Sequence, residues 1–264
     1  DKEVTKLGWR NKFKRVIKRV VFSLLYYSGF LNALVFLISK LKKEHCTAIL
    51  FYHRFSENAH GDCELPHLRV REFEKQMWHV KKFYKIITMD ELAEELKLKK
   101  NSESPCVAIT IDDGYLNNYN LAYPVLKKLN LPGTIYLTTG FIGTEKSIWV
   151  DQLMDIFLAS RSKSFSFPEL FGVEVFDLST PKNKKGTFTR FFEKILYAED
   201  AVKNSLMEEL AKMLVVDENY RVNGERKMLN WDEVIEMSRN GISFGAHTVN
   251  HPTLSKIELS EAKQ

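Results

Sequence analysis

An α/β fold built on a parallel sheet or barrel is predicted by three features of the sequence. A short run of β-branched and small apolar residues, Val107-Ala-Ile-Thr-Ile111, lacks helical period and stops at Asp112-Asp113-Gly114, as a buried strand does. Asn117 to Leu129 then sets Tyr119, Tyr123, Leu126 and Leu129 at helical spacing, and Pro132-Gly133 turns the chain into another strand, Thr134 to Thr138. Near the C-terminus, the apolar segment from Ile242 again runs into polar groups. Strand–helix–strand order with Pro/Gly punctuation marks a parallel α/β architecture, and such folds place chemistry at the C-terminal ends of their strands.

The N-terminal segment is set apart by charge. Residues 1–43 carry eleven Lys/Arg against Asp1 and Glu3, a net of +9, so the rest of a chain at +5 carries about −4. The basic character belongs to that segment, and nothing calls for a nucleic-acid groove. No charged residue lies between Arg19 and Lys40. A membrane-surface helix flanked by cations is the first reading. A helix pair packed on the domain is the second, and a true span or uncleaved signal anchor the third. Ser23, Tyr26, Tyr27, Ser28, Gly29 and Asn32 make a poor span.

Thr47 to Tyr52 reads as the first strand, with His53-Arg54 at its end, and Ser56 to Leu68 as a polar surface loop. Val70 to Phe83 has apolar residues at Phe73, Met77, Val80 and Phe83, a helical stripe for core packing. Lys85 to Thr88 is a short strand, and Met89 begins a helix with Asp90 as its cap. A middle insertion, about 151–228, opens at Trp149 and Asp151 and has Phe-rich runs at Phe165–Phe176 and Phe188–Phe192. Asn204 to Val216 has helical period. The insertion reads as a mostly helical cap over the sheet's mouth, against the alternative of a crossover packed outside. Asn230-Trp231 starts a helix that runs to Arg239 and is closed by Asn240-Gly241. The division expected is 1–45 for the basic segment and 46–264 for the domain. At 28% charged and 44% apolar residues, the composition is that of an ordinary globular protein. Three cysteines at irregular spacing, Cys46, Cys63 and Cys106, offer neither a disulfide framework nor metal-ligand spacing, and they favour a reducing compartment.

Two stretches carry chemistry. Adjacent residues on a strand face opposite ways, so Asp112 and Asp113 need not share one role, although a solvated Asp-Gly turn would look the same. His247 and His251, four apart, can converge on one ion if the residues between them make a helical turn or a tight loop. An aspartate from another strand end would complete a facial set that leaves positions open for water and substrate.

Thr110-Ile-Asp-Asp-Gly114 with His247-Thr-Val-Asn-His251 resembles the first two motifs of the NodB-type polysaccharide deacetylases, carbohydrate esterase family 4. Ile111 stands where the family usually has Phe. Ile49-Leu-Phe-Tyr-His-Arg54, Gly133 to Gly140 and Leu229 to Val234 extend the likeness, which is strongest to the exopolysaccharide-associated members. The resemblance implies a distorted (β/α) barrel and a hydrolase that removes N-acetyl groups from an N-acetylglucosamine-type polymer or exopolysaccharide. It implies a divalent ion, zinc above others, held by Asp113, His247 and His251, with its bound water as nucleophile and Asp112 as general base. His53, Arg54, Trp149 and Asp151 are candidates for substrate binding. The family's later motifs, an Arg-containing loop and a Leu-x-His segment with the general acid, do not follow His251, and the chain reads as a fragment with its barrel C-terminally incomplete. A non-catalytic carbohydrate-binding or membrane-tethered relative that keeps the metal motifs is the alternative.

Overall fold

The computed structural model describes residues 47–58, 67–98, 104–214 and 227–260, together with a few positions between 18 and 37. The basic segment 1–45 therefore lies largely outside the described residues, as do Cys46 and Cys63. No helix among the described residues is long and apolar enough to cross a membrane.

In chain order the first elements are β1 (Thr47–Tyr52), β2 (Phe55–Ser56), β3 (Leu68–Arg69), α1 (Val70–Phe83), β4 (Lys85–Ile86) and α2 (Met89–Lys97). They are followed by β5 (Cys106–Ile111), α3 (Tyr123–Leu129) and β6 (Gly133–Leu137). The insertion contains α4 (Trp149–Ala159), β7 (Ser164–Ser166), α5 (Pro168–Phe171), β8 (Val175–Asp177), α6 (Pro181–Ile195) and α7 (Asp200–Met213). The chain returns to the sheet through α8 (Trp231–Arg239) and β9 (Ile242–Ala246).

The main sheet runs β1-β5-β6-β9, with β4 beside the first residues of β5, and every pairing in it is parallel. The fold is thus α/β with a parallel sheet and covering helices. All six residues of β5 are buried, which is why this strand reads as a near-continuous apolar run with only Thr110 polar. Its Val107, Ile109 and Ile111 face a core with Phe73 and Met77 of α1, Leu126 and Leu129 of α3 and Met237 of α8. Cys106 and Ala108 pack instead with Ile87 and Leu92. The register pairs Tyr52 with Ile111 and Leu137 with Ala246, so the residues after β1, β5, β6 and β9 emerge on one rim.

Local chemistry differs from expectation in three places. Thr88, not Asp90, caps α2: its side chain accepts from the Glu91 amide, and its own amide donates to the Glu91 carboxylate. The helix expected from Asn117 begins as a wide π turn, Asn118–Ala122, because Pro124 has no N–H to give to the ordinary ladder. The insertion contains an antiparallel hairpin, β7 with β8, beside its helices. The period-2 patterns Ser-Phe-Ser and Val-Phe-Asp are its short sequence signal. The insertion also has its own core, in which Phe191 sits 4.8–5.7 Å from the rings of Phe157, Phe165, Phe167, Phe171 and Phe176.

Candidate metal centre

Asp113 follows β5 in a left-handed conformation, φ 76°, and Gly114 continues it at φ 80°. An added Cβ at Gly114 would meet Leu137 Cδ2 at 2.9 Å, so the turn needs glycine both for its backbone and for its packing. This turn, lying beyond the end of the strand, is what separates the two carboxylates; simple strand alternation is not responsible. The Asp113 side chain is 4% exposed, while Asp112 remains 19% exposed on the rim.

The histidines come from a tight loop after β9, and the turn between them is not helical. Thr248 and His251 are both left-handed, at φ 64° and 55°. For a β-branched threonine this is a true outlier, and such strain persists only where surrounding contacts over-determine it. Those contacts are present. The His247 amide donates to Leu137 O, the Thr139 amide to Thr248 O at 3.1 Å and the Gly140 amide to Val249 O at 2.8 Å. The His251 amide donates to Thr248 Oγ1 at 3.0 Å. Gly140 admits the loop because a Cβ there would stand 2.7 Å from Val249 O.

The result is convergence. Asp113 Oδ1 lies 3.5 Å from His247 Nε2 and 3.3 Å from His251 Nε2. Ligand atoms of all three residues fall within 4.8 Å of one another, a grouping able to hold a metal ion. Ligands about 2.0–2.1 Å from a tetrahedral zinc are separated by about 3.3–3.4 Å, close to both spacings. Asp113 Oδ1 is buried and has no hydrogen-bond partner, a state that is costly for a carboxylate unless something else binds it. The donor set therefore fits a divalent cation. Burial pushes the Asp113 carboxyl up, but the His251 ring beside it and the other neighbouring imidazoles outweigh it and hold the group below its ordinary value.

Asp112 points to the other side, with its Oδ2 3.8 Å from His53 Nε2. Burial raises its carboxyl above the ordinary value, with Asp113 adding to the rise while His53, His247 and His251 oppose it. A cavity of about 480 Å³ opens beside these groups. Its walls include Phe51, His53, Arg54 and His67 from the sheet side, and Ile148, Val150 and Phe192 from the insertion side.

The four residues expected to bind substrate fall into two groups. His53 is on the rim, half exposed and free to meet a ligand in the cavity. Arg54, which also lines the cavity, is paired with Asp151: the guanidinium meets Asp151 Oδ1, donates to Tyr115 Oη at 2.8 Å and lies 4.2 Å above that ring. Tyr115 donates to Asp151 Oδ2 at 2.8 Å, and burial pushes its hydroxyl well above the ordinary tyrosine range. Trp149 is buried, stacked on Phe192 with ring centroids 5.5 Å apart. Sequence reasoning did not single out Tyr115 or Lys227. Lys227 Nζ lies 2.5 Å from Asp155 Oδ2 and 3.8 Å from Asp151 Oδ1. For Tyr115, the available signal was its place directly after Asp-Asp-Gly.

The strand ends of a parallel α/β sheet thus bring one aspartate and two histidines, a grouping able to hold a metal ion, together beside a second aspartate. Residues 99–264 match the family model described as polysaccharide deacetylase. The chain belongs to that family, the NodB-type deacetylases of carbohydrate esterase family 4. It is 34% identical over 118 residues to YxkH of Bacillus subtilis, an alignment covering 44% of this chain and 40% of that protein. It is 27% identical over 232 residues to the poly-β-1,6-N-acetyl-D-glucosamine N-deacetylase of Staphylococcus epidermidis, covering 78% of this chain and 74% of the relative. Among solved structures it is similar to the deacetylase PplD of Streptococcus pyogenes, at 18% identity and TM-score 0.46, over 80% of this chain and 60% of PplD. The chain thus spans under half of YxkH and somewhat over half of PplD.

Proposed function

We propose that this chain carries the catalytic site of a metal-dependent deacetylase that removes N-acetyl groups from an N-acetylglucosamine-type polysaccharide. The observation that carries this reading is the convergence of Asp113 Oδ1, His247 Nε2 and His251 Nε2 beside Asp112. These three residues would hold a divalent cation, and two imidazoles with one carboxylate suit zinc. When bound, such an ion supplies Lewis acidity, which acidifies water and polarises an amide carbonyl.

The chain's own groups do the rest. Asp112, adjacent to the site but directed toward His53, takes the proton of the attacking water at Oδ2 as general base. Burial raises its carboxyl above the ordinary value, the direction that strengthens a base. His53 bounds the same side of the cavity, its Nε2 3.8 Å from Asp112 Oδ2. The Arg54–Asp151–Tyr115 cluster fixes the ends of β1 and β5 relative to the insertion, so the base keeps its position. The products are acetate and a free amine on the sugar. The name of the Staphylococcus epidermidis relative supports a β-1,6-linked N-acetylglucosamine polymer as the substrate to try first. The reading also keeps the division into 1–45 and 46–264, with the insertion at about 151–228 as a wall of the substrate cavity.

The test is metal content of the purified chain together with acetate release from a poly-N-acetylglucosamine oligomer in added zinc. Bound metal and released acetate support the reading. Metal without acetate would point to a binding protein that keeps the ligands, and a chain that takes up no metal would overturn it.

A further inference from the structure

We propose that Lys203, in the insertion, is a positioning residue that fixes the histidine loop and so presents His251 to the metal. The role in metal binding rests on the reading above; the fixing of the loop does not.

Lys203 is the most deeply buried cation among the described residues, 1% exposed in α7. Burying an ammonium is costly unless it is paired and hydrogen-bonded. Its Nζ donates to Asp200 Oδ1 and to Thr253 Oγ1, each at 3.1 Å, and lies 5.0 Å from the centroid of the Trp149 ring. Thr253 is two residues beyond His251, and its hydroxyl donates onward to Leu196 O at 2.8 Å. One hydroxyl thus accepts from α7 and donates to the C-terminal end of α6. The loop is held by the turn after β6 through Thr139 and Gly140 on one side, and by the insertion through Thr253 on the other.

The need for that second tie lies in the backbone. His251 is left-handed, and its Nδ1 is buried with no hydrogen-bond partner, so its ring is not oriented by a bond from that nitrogen. The segment beyond it adds a constraint to those supplied by Thr248 and Asp113, and Thr253 is where the insertion grips that segment. The same lysine also connects to the cavity wall, because the Trp149 ring it covers is stacked on Phe192. The insertion is therefore mechanically joined to a metal ligand 48 residues from Lys203 along the chain.

The test compares Lys203→Met, Thr253→Val and the conservative Lys203→Arg with the parent chain. One readout is hydrogen exchange of amides 247–253 in metal-free protein, and the other is Zn2+ affinity by chelator competition. Lys203→Met and Thr253→Val should speed exchange at His251 and weaken Zn2+ binding by about tenfold or more, as loss of outer-shell support does. Lys203→Arg should restore both, and combining Lys203→Met with Thr253→Val should add nothing further. Thr253→Val leaves Lys203 against Trp149, so it reports even if Lys203→Met fails to fold. Faster exchange in a chain whose parent binds no Zn2+ would uphold the loop tie while removing the metal reading. Unchanged exchange at His251 in Thr253→Val, or a parent that binds Zn2+ with variants that bind it equally, would overturn the proposal.

Discussion

Removing the Asp151 carboxylate should be among the most damaging single changes outside the metal ligands. Its side chain is 2% exposed, and it answers two cations and a phenol: Arg54 directly, Tyr115 at 2.8 Å and Lys227 at 3.8 Å. Burial works against the charge on Arg54, but Tyr115 and Asp151 more than offset it and hold the guanidinium above its ordinary value. Asp151→Ala leaves that charge in place, 18% exposed and without its anion. Breaking a buried pair from one side costs about 3–5 kcal/mol. At about 2–4 °C per kcal/mol for a domain of this size, Tm should fall by about 6–20 °C. Urea denaturation followed by circular dichroism measures the loss. Arg54→Met with Asp151→Leu should lose much less than the two single changes together, because the uncompensated charge is then gone. An Asp151→Ala loss of about 1 kcal/mol or less, the size of a surface pair, or strictly additive single changes, would refute this account of the seam.

Other changes separate the remaining roles. Asp112→Asn should keep its zinc by metal analysis while acetate release drops by about 10²-fold or more; loss of metal in this variant would mean that Asp112 is a ligand. Asp113→Ala and His251→Ala should each lower the zinc retained after dialysis, since each removes one of three ligand atoms. Gly140→Ala sets a methyl 2.7 Å from the Val249 carbonyl, which cannot rotate away, and should cost about 1–3 kcal/mol in denaturation. Burial pushes the Tyr52 hydroxyl up to about 12. The folded chain holds that proton more tightly than the unfolded chain, so stability should fall as pH rises from about 10 toward about 12, and Tyr52→Phe should lose less over that interval.

The parts legible in sequence are those written in local pattern. β5 could be found because burial on both faces leaves an apolar run broken only by the β-branched Thr110, and α1 because its stripe repeats every turn. Asp112, Asp113, His247 and His251 could be singled out because each stands where such a segment ends. Long-range pairing left little trace. Arg54 and Asp151 stand out in sequence only as candidates for substrate binding, and their pairing with each other across almost a hundred residues is something no local pattern encodes. Lys203 sits in a helix rich in Lys and Glu, where a cation ordinarily marks the solvated face, and only the tertiary contact with Trp149 and Thr253 reverses that. The left-handed turn at Asp113 was equally hidden, because aspartate tolerates either hand.

The pairing of β6 with β9 has a consequence for how the site comes into being. These neighbours are separated by about a hundred residues, so closing them costs about 4 kcal/mol of chain entropy before any contact repays it. The insertion occupies most of that interval and gathers around Phe191, apart from the sheet's core. Once collapsed, it brings Leu137 and Ile242 together over a much shorter effective path. Contact separation therefore favours an order from β1, α1, β5 and α3, through the insertion, to the docking of β9 last. Since the loop after β9 delivers both histidines, the candidate ligand atoms of Asp113, His247 and His251 would meet only in the final step of that order, and a chain stalled before it would have most of its helices and an unassembled site.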